Sequence, residues 1–280
     1  MTARLQIRHV TGFSYAGLSR ASYNEARMTP VTSAHQVVLD ASITTTPRAV
    51  QANYRDYFGN VVTAFDLQEP HDRLEVCALA MVETSAPSPT PRGWTVAERT
   101  EASVVDRFAE YLAATPRTTL PPEVALEAKE RFGGLDANAA AQEISAWVRA
   151  KVTYVSGSTS VTTTAAAAWE QGQGVCQDLS HITLGALRAA GVPARYVSGY
   201  LHPKSDAPLG EVVKGQSHAW VEYYSGQWVA MDPTNGSEVG LQHVVVATGR
   251  EYGDVSPLKG IYHGEPSRAL GVVVEIARLS

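Results

Sequence analysis

The stretch Trp169-Glu-Gln-Gly-Gln-Gly174-Val-Cys176-Gln-Asp178-Leu-Ser-His181-Ile-Thr-Leu-Gly-Ala-Leu-Arg-Ala-Ala-Gly191-Val-Pro193-Ala-Arg195 decides how this chain is read. Gly172 and Gly174 suit a loop, and Val175, Leu179, Ile182 and Ala186 then recur at helical spacing. Gly191 and Pro193 stop the helix. Cys176 therefore falls in the first helical turn, where unpaired N–H groups and the helix dipole favour an anion, the form in which a thiol attacks. A free cysteine is as a class more often a buried apolar filler. Cys77, in a strand-like run, is read that way.

Downstream lie three strand-like segments: Val197–Leu201, Ser217–Tyr224 and Gln227–Asp232, the last two joined at Ser225-Gly226 as a hairpin. A two-residue loop would pair Tyr224 with Gln227 and set Asp232 opposite Ala219, on the wrong face for His218. A three-residue loop over Tyr224–Gly226 sets His218 opposite Asp232, with Gly226 in the left-handed third position. This second register is the expectation. A thiol at a helix start, a histidine and an aspartate then satisfy the logic of nucleophile, base and orienting group. Cys176 would attack a carbonyl carbon, His218 would hold and return the proton, and Asp232 would fix the imidazole. The Cys176 backbone N–H is the first oxyanion donor, with Trp169, Gln171 and Gln173 as candidates for a second or for substrate contact. Asp178 is expected to cap the helix and to pair with the backbone or with Arg195. His181 reads as a packing residue. Cys176, His218, His181 and Asp232 lack structural-zinc spacing, so no metal is expected.

The rest of the chain bounds the answer. Its 280 residues fit about two domains at a prior of roughly 150 residues each. With 23 basic and 28 acidic residues the net charge is −5, which offers no electrostatic footprint for nucleic acid. No apolar run approaches the ~20 residues of a membrane span, and the first residues show no signal-peptide core. Two cysteines exclude a disulfide framework and point to the reducing cytoplasm. Residues 1–85 alternate in the manner of strands, as in Leu5, Ile7 and His9 or Leu74, Val76 and Ala78, and read as a small antiparallel domain. Ser85–Gly93 holds three prolines in nine residues, so 86–98 reads as a linker. Helical patterns follow at 104–112, 121–132 and 138–152, and strands return at 242–246 and 270–277. The second unit is placed at 99–280, with its reactive motifs within 169–235.

Four stretches resemble one family: Gly174-Val-Cys176-Gln-Asp178, Gly191-Val-Pro-Ala-Arg-Tyr-Val-Ser-Gly-Tyr200, His218-Ala-Trp220-Val-Glu222 and Met231-Asp232-Pro-Thr-Asn235. They are similar to the core motifs of the transglutaminase-like cysteine peptidase superfamily in its two-domain bacterial form. Residues 1–85 resemble the strand-rich region that precedes this core, and His243–Pro257 resembles its tail segment. The resemblance implies an α+β fold, a β-rich N-terminal domain followed by a papain-like, transglutaminase-like core. In that core a helix bearing the cysteine packs on an antiparallel sheet bearing the histidine and aspartate. It places the family's catalytic residues on Cys176, His218 and Asp232. No calcium loop of alternating Asp/Asn is present to carry over the calcium dependence of animal transglutaminases.

The function expected is thus a cofactor-free thiol acyl-transfer enzyme acting on a peptide or isopeptide amide of a peptide or protein substrate. Hydrolysis is favoured over amine transfer to glutamine, because excluding water from a dedicated amine site needs architecture the motifs do not show. A thiol acetyltransferase using the same triad is disfavoured by the resemblance. A non-catalytic peptide-binding domain would be expected to have lost the cysteine or histidine, and neither is lost.

Overall fold

The alternation at the start of the chain becomes one long strand, Thr2–Ser19, with Leu5, Ile7 and His9 buried and Arg4, Gln6 and Arg8 exposed. The structure, a computed structural model, describes residues 2–204 and 207–280. A long strand of this kind leaves two edges of N–H and C=O groups to be met. His71–Ser85 takes one edge and pairs in turn with Gln36–Thr46. The other edge is taken from the far end of the sequence: Val273–Arg278 sets Ile276 opposite Ile7. Likewise Leu258–His263 completes a second antiparallel sheet with Ala21–Ala26, Val61–Leu67 and Gln51–Arg55.

The division expected between 1–85 and 99–280 therefore fails at the C-terminal end. Residues 258–278 close the sheets of the N-terminal region instead of ending the second unit. Alternation shows that a segment is a strand, but it does not show which edge the strand will meet. Between the two regions, 86–95 runs without regular structure, as the prolines suggested. The apolar face at 104–112 is divided between Ala102–Arg107 and Ala109–Leu112, with Phe108 turned in against Tyr224 and Trp228.

The second core is built around the helix Cys176–Ala189, in which every residue from Gln177 to Arg188 is buried. Helices Pro122–Phe132, Ala137–Lys151 and Ala165–Gln171 pack against it, as do the strands Ala194–Leu201 and Gln216–Tyr224. Small residues let the helices approach: Ala137, Ala140 and Ala141 are buried in the same apolar cluster as Leu179, Ile182 and Leu187. A charge inside such a helix needs partners. Arg188 has them, donating to Thr118 Oγ1 at 2.9 Å, to the Ala194 carbonyl at 3.0 Å and to the Arg250 carbonyl at 2.7 Å. No helix among the described residues is long and apolar enough to cross a membrane.

The sheet of this core is antiparallel, in the order Trp228–Met231, Gln216–Tyr224, Ala194–Leu201, His243–Gly249. Two side-chain amides from the N-terminal region meet the free edge of its last strand. Gln36 exchanges two hydrogen bonds with the backbone of Val245, each of 2.8 Å, and Asn60 does the same with Thr248 at 2.8 and 2.9 Å. Each amide imitates one rung of a strand ladder and ties the two regions together. Asn60→Ala leaves that N–H and C=O unpaired and should cost about 1–3 kcal/mol. Thermal unfolding checks this, and an unchanged midpoint would show that the tie contributes nothing.

Candidate active site

Cys176 is the first residue of its helix, placed there by a cap from within the motif itself. The Asp178 carboxylate accepts the Val175 N–H at 2.8 Å and the Thr159 hydroxyl at 2.5 Å. Burial raises the Asp178 pKa, and these two bonds work against that rise. The expected backbone role is thus observed, but the alternative partner is not. Arg195 pairs with Glu222 and lies over the Trp228 ring at 4.3 Å.

The hairpin beside the helix does not take the expected register. Tyr224 pairs with Trp228 and Val221 with Met231, so the loop is Ser225–Gln227, with Gly226 (φ +80°) at its centre. The aromatic pair decides this. Tyr224 and Trp228 lie edge to face at 5.3 Å across the strands, and Tyr224 also packs on Trp94 and Phe108. The Ser225 hydroxyl holds the turn by accepting the Trp94 N–H at 2.9 Å. The register is displaced by two residues, which keeps every side chain on its own face, whereas a slip of one would have reversed them. Continued to Asp232, it sets the carboxylate opposite Trp220, diagonal to His218 and within reach of it.

That reach is used. His218 Nε2 donates to Asp232 Oδ2 at 2.7 Å, with His218 5% and Asp232 1% exposed. Burial alone would push the His218 pKa down; the bonds to Asp232 and to the Cys176 thiol outweigh it and raise it to about 9. Burial pushes Asp232 up, but its bonds to His218 and His243 hold it well below the usual carboxylate range. The two shifts agree in direction, so at neutral pH the pair is imidazolium and carboxylate. Since Asp232 occupies Nε2, Nδ1 is the ring nitrogen left for the thiol. Cys176 and His218 line a cleft of about 630 Å³, to which His9 and Phe13 of the first strand and Leu270 and Val272 also contribute.

A family model described as the transglutaminase-like superfamily matches residues 126–233, and one described as the bacterial transglutaminase-like N-terminal region matches residues 5–83. The chain belongs to the transglutaminase-like superfamily. An uncharacterized protein of Mycobacterium leprae is 43% identical over 277 residues, covering 99% of both chains. A protein-glutamine gamma-glutamyltransferase of Pseudomonas aeruginosa is 35% identical over 106 residues, 33% of this chain and 15% of that one. The crystal structure of a candidate cysteine protease from Cytophaga hutchinsonii superposes with a TM-score of 0.77 at 21% identity, covering 100% of this chain and 92% of the other. It shares the fold.

Within this transglutaminase-like core the three candidates for a second oxyanion donor are placed elsewhere. Trp169 packs on Trp147 with ring centroids 4.6 Å apart, inside the apolar cluster. Gln171 donates to the Ser158 carbonyl at 3.4 Å, and Gln173 pairs with Thr153 in a short parallel ladder. None of the three is among the residues lining the cleft. Position just before the cysteine in sequence does not translate into position beside it, because the left-handed Gly172 turns the chain away from the preceding helix. His181 is a packing residue as expected. Its ring lies 5.1 Å from that of Tyr196, Nε2 accepts the Tyr252 N–H at 3.2 Å, and burial lowers its pKa to about 3.

Two residues around Asp232 were not foreseen. Asn235 donates its side-chain N–H to Oδ2 at 2.7 Å, while the backbone N–H groups of Thr234 and Asn235 reach Oδ1 at 2.9 and 3.2 Å. An Asp three residues before an Asn, with proline between, is a turn signal that could have suggested this. His243 Nε2 lies 3.4 Å from Oδ2, and the Gly240 N–H points at its Nδ1 at 3.3 Å, which leaves the ring proton on Nε2. No spacing in the sequence announces His243, since it arrives on a different strand. His218, Asp232 and His243 bring their ligand atoms within 4.8 Å of one another, a spacing a cation could bridge. At 2.7 Å and with His218 carrying its proton, a hydrogen bond accounts for the closest of these contacts.

Proposed function

We propose that this protein is a thiol acyl-transfer enzyme acting on peptide or isopeptide amides, with Cys176, His218 and Asp232 as its catalytic residues. The buried His218–Asp232 pair, set against a cysteine that opens a helix at the wall of a cleft, carries the reading. Cys176 Sγ, its proton held by His218, attacks the amide carbonyl carbon, and the C–N bond breaks as His218 passes that proton to the departing amine. Asp232 stabilises the imidazolium before that transfer. The product of this half-reaction is a thioester on Cys176. Water then attacks it, His218 takes the water's proton, and the acid leaves as the thiol is restored.

The same thioester would yield a new amide if an amine attacked in place of water, and the likeness to the Pseudomonas glutamyltransferase keeps that second reading in view. The cleft favours water. Among the described residues that line it there is no Asp or Glu, and the carboxylates nearest its two cations are already taken, Glu251 by Arg117 and Glu25 by Lys259. A lysine side chain approaching as acceptor carries an ammonium that finds no counter-charge there. The two free cysteines suit a reducing compartment, so the cytoplasm is the setting proposed.

Partitioning of the thioester tests the reading. A library of glutamine and isopeptide substrates is offered with and without a primary amine, and ammonia, cleaved peptide and amine adduct are followed. Hydrolysis gives acid product at a rate nearly independent of added amine, and Cys176→Ala abolishes it. Adduct that grows at low millimolar amine at the expense of acid would replace hydrolase with transferase. Inertness across the library would leave a binding domain.

A further inference from the structure

His9 belongs to the alternating stripe Leu5, Ile7, His9 and is buried with it, 1% exposed, yet it also lines the cleft that holds Cys176. Its hydrogen bonds determine which ring nitrogen carries the proton. Nδ1 lies 3.0 Å from the Tyr200 hydroxyl oxygen, and that hydroxyl donates its single proton to the Met28 carbonyl at 3.3 Å. Burial raises the Tyr200 pKa, so the phenol stays protonated, and its oxygen can only accept from His9. The proton of His9 therefore sits on Nδ1. Burial lowers the His9 pKa to about 4, so Nε2 is a bare acceptor at neutral pH. It is buried and no group of the protein meets it. An orphaned acceptor at such a depth is costly unless something supplies a donor.

We propose that His9 is a substrate-binding residue whose Nε2 accepts a hydrogen bond from an uncharged N–H of an apolar peptide lying in the cleft. The proposal rests on the acyl-transfer reading of that cleft and gives the N-terminal region a role in it. Charge and polarity select the ligand class. A carboxylate or phosphate has no proton for Nε2, and a cation meets Arg117 and Lys259 instead of a carboxylate. Those two side chains are themselves engaged, Arg117 with Glu251 at 2.8 Å and Lys259 with Glu25 at 3.4 Å. Phe13, Val161, Leu258, Leu270 and Val272 supply apolar surface to the same cleft. A peptide offers such an N–H from its backbone or from a side-chain carboxamide.

The test uses Cys176→Ala protein, which cannot turn over, and an N-acetylated, C-amidated pentapeptide of central glutamine flanked by leucines. A companion set carries a methyl group on each amide nitrogen in turn, including the carboxamide. One methylation should weaken binding ~tenfold, the order expected for one buried hydrogen bond, and should have no effect in the Cys176→Ala, His9→Leu double variant. Which nitrogen it is tells backbone from side chain. Tyr200→Phe, which frees the His9 tautomer without touching the cleft, should show part of the same loss. In the protein with His9 intact, the ¹⁵N resonance of Nε2 should begin as an unprotonated nitrogen and move upfield only with peptides that keep that N–H. This measurement also decides the matter if His9→Leu does not fold. Equal sensitivity to methylation with and without His9, an unmoved Nε2 resonance, or no saturable peptide binding at millimolar concentration would each overturn the proposal. Turnover by the wild type without His9 coupling would sink His9 alone, whereas coupling without turnover would sink the acyl-transfer reading alone.

Discussion

Asp232→Asn is expected to lower kcat by about four orders of magnitude while the chain still folds, the size seen for the equivalent change in a serine-enzyme triad. The hydrogen bonds around the side chain explain why so small a change is severe. Oδ1 accepts two backbone N–H groups, so the asparagine must keep its oxygen there and turn its NH₂ toward the Oδ2 position. That NH₂ then faces the donors His218 Nε2, Asn235 Nδ2 and His243 Nε2. His218 can avoid the clash only by moving its proton to Nδ1, the nitrogen that must serve the thiol. Kinetics on the purified variant, with folding confirmed by circular dichroism, decide the matter; less than a tenfold loss would remove Asp232 from the mechanism.

The same substitution has a signature in pH. His218's pKa is raised on folding, so its contribution to stability is complete below about pH 6.5 and is lost as the pH climbs through about 9. Asp232 is depressed, so its contribution is complete above about pH 4 and is lost on acidification through its lowered folded value. Wild type should therefore exceed Asp232→Asn in stability most between about pH 4 and 6.5, with the gap narrowing toward pH 9. A gap that widened with rising pH would contradict the ion pair.

The three residues proposed as catalytic could be brought together from the sequence because their placement is local or depends only on parity. A helix start is written in Gly174, Val175 and the spacing of Leu179 and Ile182. The face shared by His218 and Asp232 survives any even displacement of the hairpin, so the position of the pair was right although its register was off by two. The register itself turned on Tyr224 meeting Trp228, a packing preference that outweighed the glycine's preferred loop position. Long-range partners were not legible. Nothing in Val273–Arg278 says that it will lie beside Leu5 and Ile7, and nothing in Gln36 or Asn60 says that they will imitate strand rungs for Val245 and Thr248. The acceptor at His9 was hidden for the same reason. In the sequence it looks like one more core position, and only the Tyr200–Met28 chain shows which nitrogen is bare.

Gly199→Ala should be among the most destabilising single changes near the site, although it adds one methyl group. Gly199 lies opposite His218 on the neighbouring strand. A Cβ built there would stand 2.1 Å from the Val244 carbonyl oxygen and 2.4 Å from the Trp220 ring. The carbonyl cannot swing aside, because it belongs to the strand that Gln36 and Asn60 hold at its outer edge. Trp220 has no free space either, being fully buried with its ring 5.3 Å from that of His243 and 6.0 Å from that of His218. Overpacking a core commonly costs about 1–3 kcal/mol, and contact with fixed backbone puts this case at the top of that range. At roughly 2–4 °C per kcal/mol for a chain of this size, the melting temperature should fall by about 6–12 °C. Whatever relief the chain finds comes from moving Trp220 toward the two histidines, so kcat should fall even well below the new melting point. Gly134→Ala is the control, since a Cβ there meets nothing within 4 Å and the melting temperature should not move. If Gly199→Ala melted with the wild type, Trp220 would have to be free to yield, and the rigid ring behind His218 and His243 would no longer account for how the imidazole is held.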